Sequence, residues 1–366
     1  MRTTVCILSG SFGDGHEVAA RELQRRLADR GVDAVVLDIV ERYPWRLGRA
    51  LKRVYLWQVK AVPVTWRWFL AWLAPSKAGR GLGRRIALAT IGSATRRLRA
   101  LPSMYDAVIS THPFASQVIG RLHDQGHLGD MSTFTYLTDL SVHPLWVHPS
   151  IHTHLALHEV AALEARSHGA RSTRVVEPVV RALGQDRPRT PGAVAALREE
   201  FGLPEVGRLV AVTGGAEGVG DLEATARDLL AIPGVVPVVL CGRNTVLRER
   251  LSAIPGVRAL GWVSDMGALY AAVDLVVQNA GGSTSLEALA AGVPIVSYRC
   301  LPGHGEANAA NLARSGLIPW LYDSLTLAEA VTSTDGAHRS RQRPTAPGAA
   351  EVIIATLGGS NERMVG

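Results

Sequence analysis

The sequence predicts an α/β chain built from two doubly wound units in tandem, and three observations carry that expectation. Apolar, β-branched runs alternate with helical patterns from one end to the other, as in parallel sheets covered on both faces. The alternation breaks at the polar, proline-rich GQDRPRTP of residues 184–191 and then starts again. At 366 residues and 47% hydrophobic content, the chain can bury a separate core in each of two domains.

In order, residues 3–8 read as a strand, 16–30 as a helix and 32–39 as a strand. Residues 105–110, 131–137 and 152–158 read as further strands, with helical segments between several of them. A helical stretch at 192–201 follows the break. Strand-like runs then recur at 209–213, 235–241, 257–260, 275–278 and 294–298, separated by helices starting near Asp221, Thr245, Asp265 and Ser283. Residues 332–347 read as a polar surface loop and 349–357 as a last helix. The expected division is an N-terminal domain at 1–183, a linker at 184–205, a second domain at 206–345, and a C-terminal helix and tail at 346–366.

Composition narrows the function. The three cysteines, Cys6, Cys241 and Cys300, are scattered, which argues against a disulfide framework and a zinc site. The N-terminal MRTTVCILSGSFGDGH lacks the cleavage pattern of a signal peptide. No apolar stretch reaches the roughly 20 residues needed to span a bilayer. The net charge of +7 is local. Fourteen Lys or Arg and no Asp or Glu fall between Arg42 and Tyr105, so the rest of the chain carries −7. Five of the eight tryptophans, Trp45, Trp57, Trp66, Trp68 and Trp72, lie there too. At helical spacing Leu47, Leu51, Val54 and Tyr55 share one face, and Arg46, Arg49, Lys52 and Arg53 the other. Segment 42–105 therefore reads as an element for an anionic membrane surface, with rings at headgroup level and charge toward the lipid. A basic aromatic patch also suits nucleic acid, but no nucleic-acid motif accompanies it, and no such partner is expected.

Four glycine-rich turns follow predicted strands in the second half, at Thr213–Gly218, Cys241–Asn244, Gly261–Met266 and Asn279–Ser285. Open α/β sheets bind ligands at the carboxyl ends of their strands, so these turns should converge. The fourth opens directly into a helix. Its glycines allow close backbone approach, and a helix N-terminus presents free N–H groups suited to a diphosphate. Ser283, Thr284 and Ser285 add hydroxyls, and Glu287 lies where its carboxylate could accept two ribose hydroxyls. Ser283 could equally be a helix cap and Glu287 a first-turn acid.

In the first half, Ser9-Gly-Ser-Phe-Gly-Asp-Gly-His16 follows a strand and opens a helix. It lacks the GxGxxG of a dinucleotide fold, although Asp38 could serve as a ribose partner in that reading. Two polar clusters, Ser110–Pro113 and Thr138–His148, fall at later strand ends. The five histidines between 143 and 158 are spaced too irregularly for a zinc set.

The stretch GGSTSLEALAAGVPIV (281–296), followed by LPGHGEAN (301–308), resembles the donor-binding half of GT-B glycosyltransferases. The GDGH turn, the two polar clusters and residues 208–220 match in order. The resemblance is strongest to the monogalactosyldiacylglycerol synthases and processive diacylglycerol glucosyltransferases, a family related to the peptidoglycan N-acetylglucosaminyltransferase. It implies the GT-B fold, two Rossmann-like doubly wound domains facing across a cleft. It implies an inverting hexosyltransferase that uses a UDP-sugar as co-substrate, with no metal and no cofactor. The acceptor would be a lipid hydroxyl, with diacylglycerol first. A polyprenyl-linked or natural-product acceptor, or a UDP-sugar 2-epimerase, are the alternatives. A peripheral position on the inner, cytoplasmic face of the plasma membrane follows from the lipid reading.

Residue by residue, the resemblance makes His16 the catalytic base, and imidazole chemistry suits that role. Asp139 would orient His16 or the acceptor. Gly15, His112, His143 and Trp146 would border the acceptor. Gly214, Gly215, Gly282, Ser283 and Thr284 would hold the diphosphate, and Glu287 the ribose. Trp262, Val263 and Met266 would line the base pocket. His304, Glu306 and Asn308 would meet the sugar hydroxyls. Many relatives carry Asp or Gln where this loop reads Gly-His-Gly.

Overall fold

A computed structural model of the protein describes residues 2–11, 14–42, 92, 94–181, 190–333 and 346–364. Most of segment 42–105, including its five tryptophans, lies outside the described residues, as do 182–189 and 334–345. The chain forms two compact units, Met1–Val179 with Pro344–Gly366, and Val180–Arg343.

The first unit holds β1 (Thr4–Ser9), α1 (Asp14–Ala28), β2 (Asp33–Asp38), β3 (Ala107–Ser110), α2 (Pro113–Asp124), β4 (Ser132–Tyr136), β5 (Thr153–Ala156), α3 (Glu159–Ser167) and β6 (Thr173–Val175). Its sheet is parallel, in the order β2-β1-β3-β4-β5-β6. Val5, Cys6, Ile7 and Leu8 are all fully buried, which is why β1 reads as a continuous apolar run rather than an alternating one. Cys6, Leu8 and Val108 pack with Ala115, Val118, Ile119 and Leu122 of α2. Strand order reverses at β1 and β3, so their carboxyl ends form the switch point where such sheets take ligands.

The second unit holds α4 (Pro191–Glu200), β7 (Arg208–Thr213), α5 (Leu222–Leu230), β8 (Val235–Leu240), α6 (Thr245–Ser252), β9 (Arg258–Leu260), α7 (Met266–Ala272), β10 (Leu275–Gln278), α8 (Ser283–Ala290), β11 (Ile295–Tyr298), α9 (His304–Arg314), β12 (Trp320–Leu321) and α10 (Ser324–Thr332). Its parallel sheet runs β12-β11-β10-β7-β8-β9, and the order reverses at β7 and β10. Val210, Val212, Val239, Leu275, Val277 and Val296 from the strands pack with Leu222, Ala226, Leu229, Leu247 and Leu251 from the helices.

Two boundaries differ from the sequence-based expectation. The 184–205 stretch read as a linker belongs to the second unit, where its expected helix, α4, packs against α7. The buried Arg198 fixes it there. Its guanidinium donates to the carbonyls of Ala272 (3.0 Å) and Glu205 (2.7 Å) and pairs with Asp274 at 3.0 Å. A buried charge needs such partners, and they all lie in the second unit. The last helix, α11 (Ala349–Met364), returns to the first unit and packs on α1 and β4, with Arg30 paired to Glu351 at 2.6 Å. The sequence did not predict the short edge strands β6 and β12 or the helix α10. Three- and two-residue strands carry no readable period.

Candidate active site

The first unit gathers its polar residues at the switch point. His16 lies in the first turn of α1, directly after the β1 turn, and is half-buried with Gly15. Thr111, just after β3, donates from its hydroxyl to the His16 carbonyl at 3.3 Å. Thr138, two residues beyond β4, places Oγ1 3.2 Å from His16 Nδ1 and donates to Asp139 Oδ2 at 3.3 Å. The His112 ring meets the His16 ring edge-on at 4.7 Å, and the Trp146 ring lies at 5.6 Å. Three side chains from two loops, Thr138, His112 and Trp146, thus surround one imidazole.

His112 is buried and caps α2, its Nδ1 accepting from Phe114 N at 3.2 Å. Burial, with the neighbouring His16 adding to it, holds its pKa well below the usual value. The neutral ring accepting at Nδ1 must carry its proton on Nε2. His112 is therefore a fixed hydrogen-bond donor at the site. His143 caps the turn that carries Trp146, accepting from Leu145 N at 3.2 Å. His148 and His158 accept from Ser150 N and Val160 N in the same way, at 3.3 and 3.2 Å. Helix and turn capping thus accounts for histidines that a metal reading would have claimed. Among the described residues no group of three or more His, Cys, Asp or Glu could hold a metal. The Asp38 carboxylate accepts from Ser11 N (3.3 Å) and Val40 N (2.8 Å), so it serves the loops around it.

In the second unit the four glycine turns come together. Gly214 lies so close to the returning chain that an added Cβ would stand 2.2 Å from the Val219 carbonyl oxygen, and Val219 N donates to Gly214 O at 3.0 Å. Arg243 N donates to Ala216 O at 2.8 Å, and the Arg243 guanidinium pairs with Glu217 at 3.6 Å. The same guanidinium lies 4.3 Å above the exposed Trp262 ring, a cation–π contact that joins the third turn. Asn279 Nδ2 donates to Val219 O at 2.8 Å and joins the fourth. Gly215 is held through Thr213 Oγ1, which accepts from its N–H at 3.3 Å.

The α8 N-terminus starts at Gly282–Ser283 with no side-chain cap; Ser285 N donates to Gly282 O at 3.0 Å, and the Ser283 and Thr284 amides before it keep their capacity for an anion. Ser283 and Thr284 are half-buried beside it, and the fully buried Ser285 hydroxyl has no hydrogen-bond partner among the described residues. Val263 and Met266 are half-buried after β9. Burial pushes the Glu287 carboxyl up to about 7, with Arg181 opposing it.

In the loop after β11, residues expected at the sugar make local contacts. Glu306 accepts from Gly303 N at 3.0 Å and closes the α9 N-terminus. The buried Asn308 donates from Nδ2 to Ala280 O at 3.4 Å, bracing the turn before α8. A Cβ on Gly305 would stand 2.8 Å from Asn279 O, so a larger residue here would displace that same turn. His304, the first residue of α9, is half-buried. Sequence reasoning placed Thr138, Arg243 and Asn279 in candidate turns without giving them a role, and it missed Arg299. Arg299 carries φ +45° and pairs with Asp228 at 2.8 Å, fixing the chain reversal that leads into this loop. A non-glycine residue in the left-handed region gives no signal in sequence. Arg243 was legible only as part of a glycine turn.

Family models match both units of the chain. A model described as monogalactosyldiacylglycerol (MGDG) synthase matches residues 16–177, and one described as glycosyl transferases group 1 matches 206–333. The chain is 28% identical over 357 residues to the chloroplastic monogalactosyldiacylglycerol synthase of Spinacia oleracea, covering 91% of this chain and 66% of that protein. It is 23% identical over 335 residues to the processive diacylglycerol beta-glucosyltransferase of Bacillus cereus, covering 85% and 80%. Among solved structures, a glycotransferase of kitacinnamycin superposes with TM-score 0.62 at 16% identity, over 98% of this chain and 100% of that one. Acinetobacter baumannii MurG gives 0.57 at 18%, over 98% and 100%. Anabaena Alr3699/HepE in complex with UDP-glucose gives 0.54 at 17%, over 100% and 99%.

With a glycosyltransferase model matching each unit and a ligand-ready switch point in each sheet, the chain has the GT-B fold of the solved glycosyltransferases on which it superposes. Within that class it resembles the monogalactosyldiacylglycerol synthases and processive diacylglycerol glucosyltransferases.

Proposed function

We propose that the protein transfers a hexose, with inversion, from a UDP-sugar to a hydroxyl of diacylglycerol. The observation that carries this reading is the His16 cluster, in which one imidazole is hydrogen-bonded through Thr138 and walled by His112 and Trp146. It lies in the unit matched by the MGDG synthase model. His16 takes the proton of the acceptor hydroxyl as its oxygen bonds to the anomeric carbon. The bond from that carbon to the diphosphate breaks in the same step, and its electron pair leaves with UDP. Backbone amides at the α8 N-terminus, with Ser283 and Thr284, stabilise the departing charge. Gly214 and Gly215 allow the diphosphate to approach, Glu287 holds the ribose, and Trp262, Val263 and Met266 receive the base. This route invokes no metal or cofactor.

One further feature supports a lipid acceptor. The basic, tryptophan-rich segment 42–105 has the composition of a membrane-surface element. Among the described residues no helix is long and apolar enough to cross a membrane. In this reading the enzyme works peripherally on the inner face of the plasma membrane.

The test is UDP release from UDP-glucose and UDP-galactose in the presence and absence of dioleoylglycerol, with the product's anomeric configuration read by NMR. Release that depends on the lipid, with an inverted product and loss of about 10²- to 10⁴-fold in kcat in His16→Ala, is expected. Conversion of the UDP-sugar to its C2 epimer without any acceptor would replace this reading with a UDP-sugar 2-epimerase. Turnover only on a polyprenyl phosphate or a natural-product scaffold would move the acceptor class.

A further inference from the structure

We propose that Thr138 is a positioning residue that sets the protonation pattern of His16, passing the influence of Asp139 through its hydroxyl. The proposal rests on the transferase reading above for its consequence and on geometry for its content. Thr138 Oγ1 stands between two partners, 3.2 Å from His16 Nδ1 and 3.3 Å from Asp139 Oδ2. Thr138 and Asp139 are each 7% exposed, so water does not readily replace either contact. A hydroxyl has one proton to give and lone pairs to receive with. A carboxylate is the stronger acceptor, and a hydrogen bond to it is charge-assisted. The Thr138 proton therefore goes to Asp139, and Thr138 Oγ1 can only accept from His16.

Neutral His16 must then carry its hydrogen on Nδ1, which leaves Nε2 as the basic nitrogen. A free imidazole in water favours the opposite tautomer only slightly, so one buried hydrogen bond is enough to decide it. The ring is also fixed in direction. Its backbone carbonyl accepts from Thr111, and the His112 and Trp146 rings flank it at 4.7 and 5.6 Å. His112, with its hydrogen on Nε2, is the complement. One imidazole of the pair donates at Nε2 and the other accepts there. An acceptor hydroxyl can then give its proton to His16, while a neighbouring oxygen of the same molecule takes a hydrogen bond from His112.

The experiment reads the tautomer directly. The full chain is labelled with ¹⁵N-histidine, and long-range ¹H–¹⁵N spectra are recorded at a pH where His16 is neutral. The His16 signals are identified among the 12 histidines by their loss in His16→Gln. The wild type is expected to show hydrogen on Nδ1. Thr138→Val should shift His16 toward the Nε2–H form, and Thr138→Ser should keep the wild-type pattern. UDP binding should be unchanged in both variants. With UDP-glucose or UDP-galactose and dioleoylglycerol, kcat should fall about 10- to 100-fold in Thr138→Val, with KM for the donor unchanged, and recover to within about threefold in Thr138→Ser. Hydrogen on Nε2 in the wild type overturns the proposal even if Thr138→Val does not fold. So does a Thr138→Val spectrum identical to wild type. If the spectra behave as expected but no lipid-dependent transfer occurs, the transferase reading fails while the assignment of Thr138 stands.

Discussion

Burial moves the Glu287 carboxyl from an ordinary value of 4.5 to about 7, with Arg181 opposing the shift. A carboxylate that accepts two ribose hydroxyls favours its ionised form, so donor binding in the proposed site must draw a proton out near neutral pH. The sign follows. Above pH 7 the group is already ionised and binding costs nothing extra. Below pH 7 the proton must leave first, so affinity falls as pH falls, by up to about tenfold per unit. UDP-glucose binding measured by calorimetry from pH 8 to 6 should show this loss and a net proton release, and Glu287→Gln should abolish both. Identical pH profiles for the two proteins would remove Glu287 from the ribose site. Position 287 is legible in the sequence as one turn into a helix after a glycine turn. Its titration near pH 7 is not, because that depends on what α8 packs against.

At the scale of the element, α9 shows how one side chain can be read two ways. In sequence Glu306 is a polar residue on a candidate sugar loop. In the structure its carboxylate accepts from Gly303 N at 3.0 Å and satisfies an amide at the helix start. The two roles predict different outcomes. Glu306→Gln keeps an acceptor oxygen, so if capping is the role, donor KM should stay within about twofold. Glu306→Ala should cost about 0.5–2 kcal/mol in thermal or chemical unfolding. A large KM increase in Glu306→Gln with unchanged stability would restore the sugar contact. The histidines that precede prolines follow the same logic. His112, His143 and His148 each stand before Pro and each accept a backbone N–H two residues on. Pro supplies the helix-compatible φ and the histidine supplies the cap.

At the scale of the molecule, the largest burial shifts bias the two units in opposite directions between pH 6.5 and 4.5. In the first unit burial holds His154 at about 4 and lowers His112, His148 and His152. Between pH 6.5 and 4 the unfolded chain takes protons that these folded histidines refuse, so stability falls as pH falls. His154 alone accounts for about 3 kcal/mol across that window. In the second unit Glu287 keeps its proton up to about 7 when folded and only to 4.5 when unfolded, so its effect favours the folded state as pH falls from 7 to 4.5. Calorimetry of the full chain at pH 7.5 and 5 should show the first unit's transition moving down by several degrees relative to the second. UDP identifies the second unit's transition by raising it. Equal movement of both transitions would show that these groups do not control acid stability.

Periodicity and glycine turns are local properties, and they determined most of what the sequence could say. They yielded two doubly wound units, ten of the twelve strands, and the loops that carry His16, Asp139, Gly214 and Ser283. Tertiary structure decided what those loops do together. Thr138 is an ordinary threonine until β4 brings it to His16, more than a hundred positions away. Arg243 is one residue of a turn until β8 and β9 pair and set it over Trp262. The last helix reads only as a C-terminal helix and tail until Arg30 and Glu351 join it to the first unit. Contacts between residues distant in sequence leave no period to read, and they set the hydrogen bonds, burial and charge on which the proposed chemistry depends.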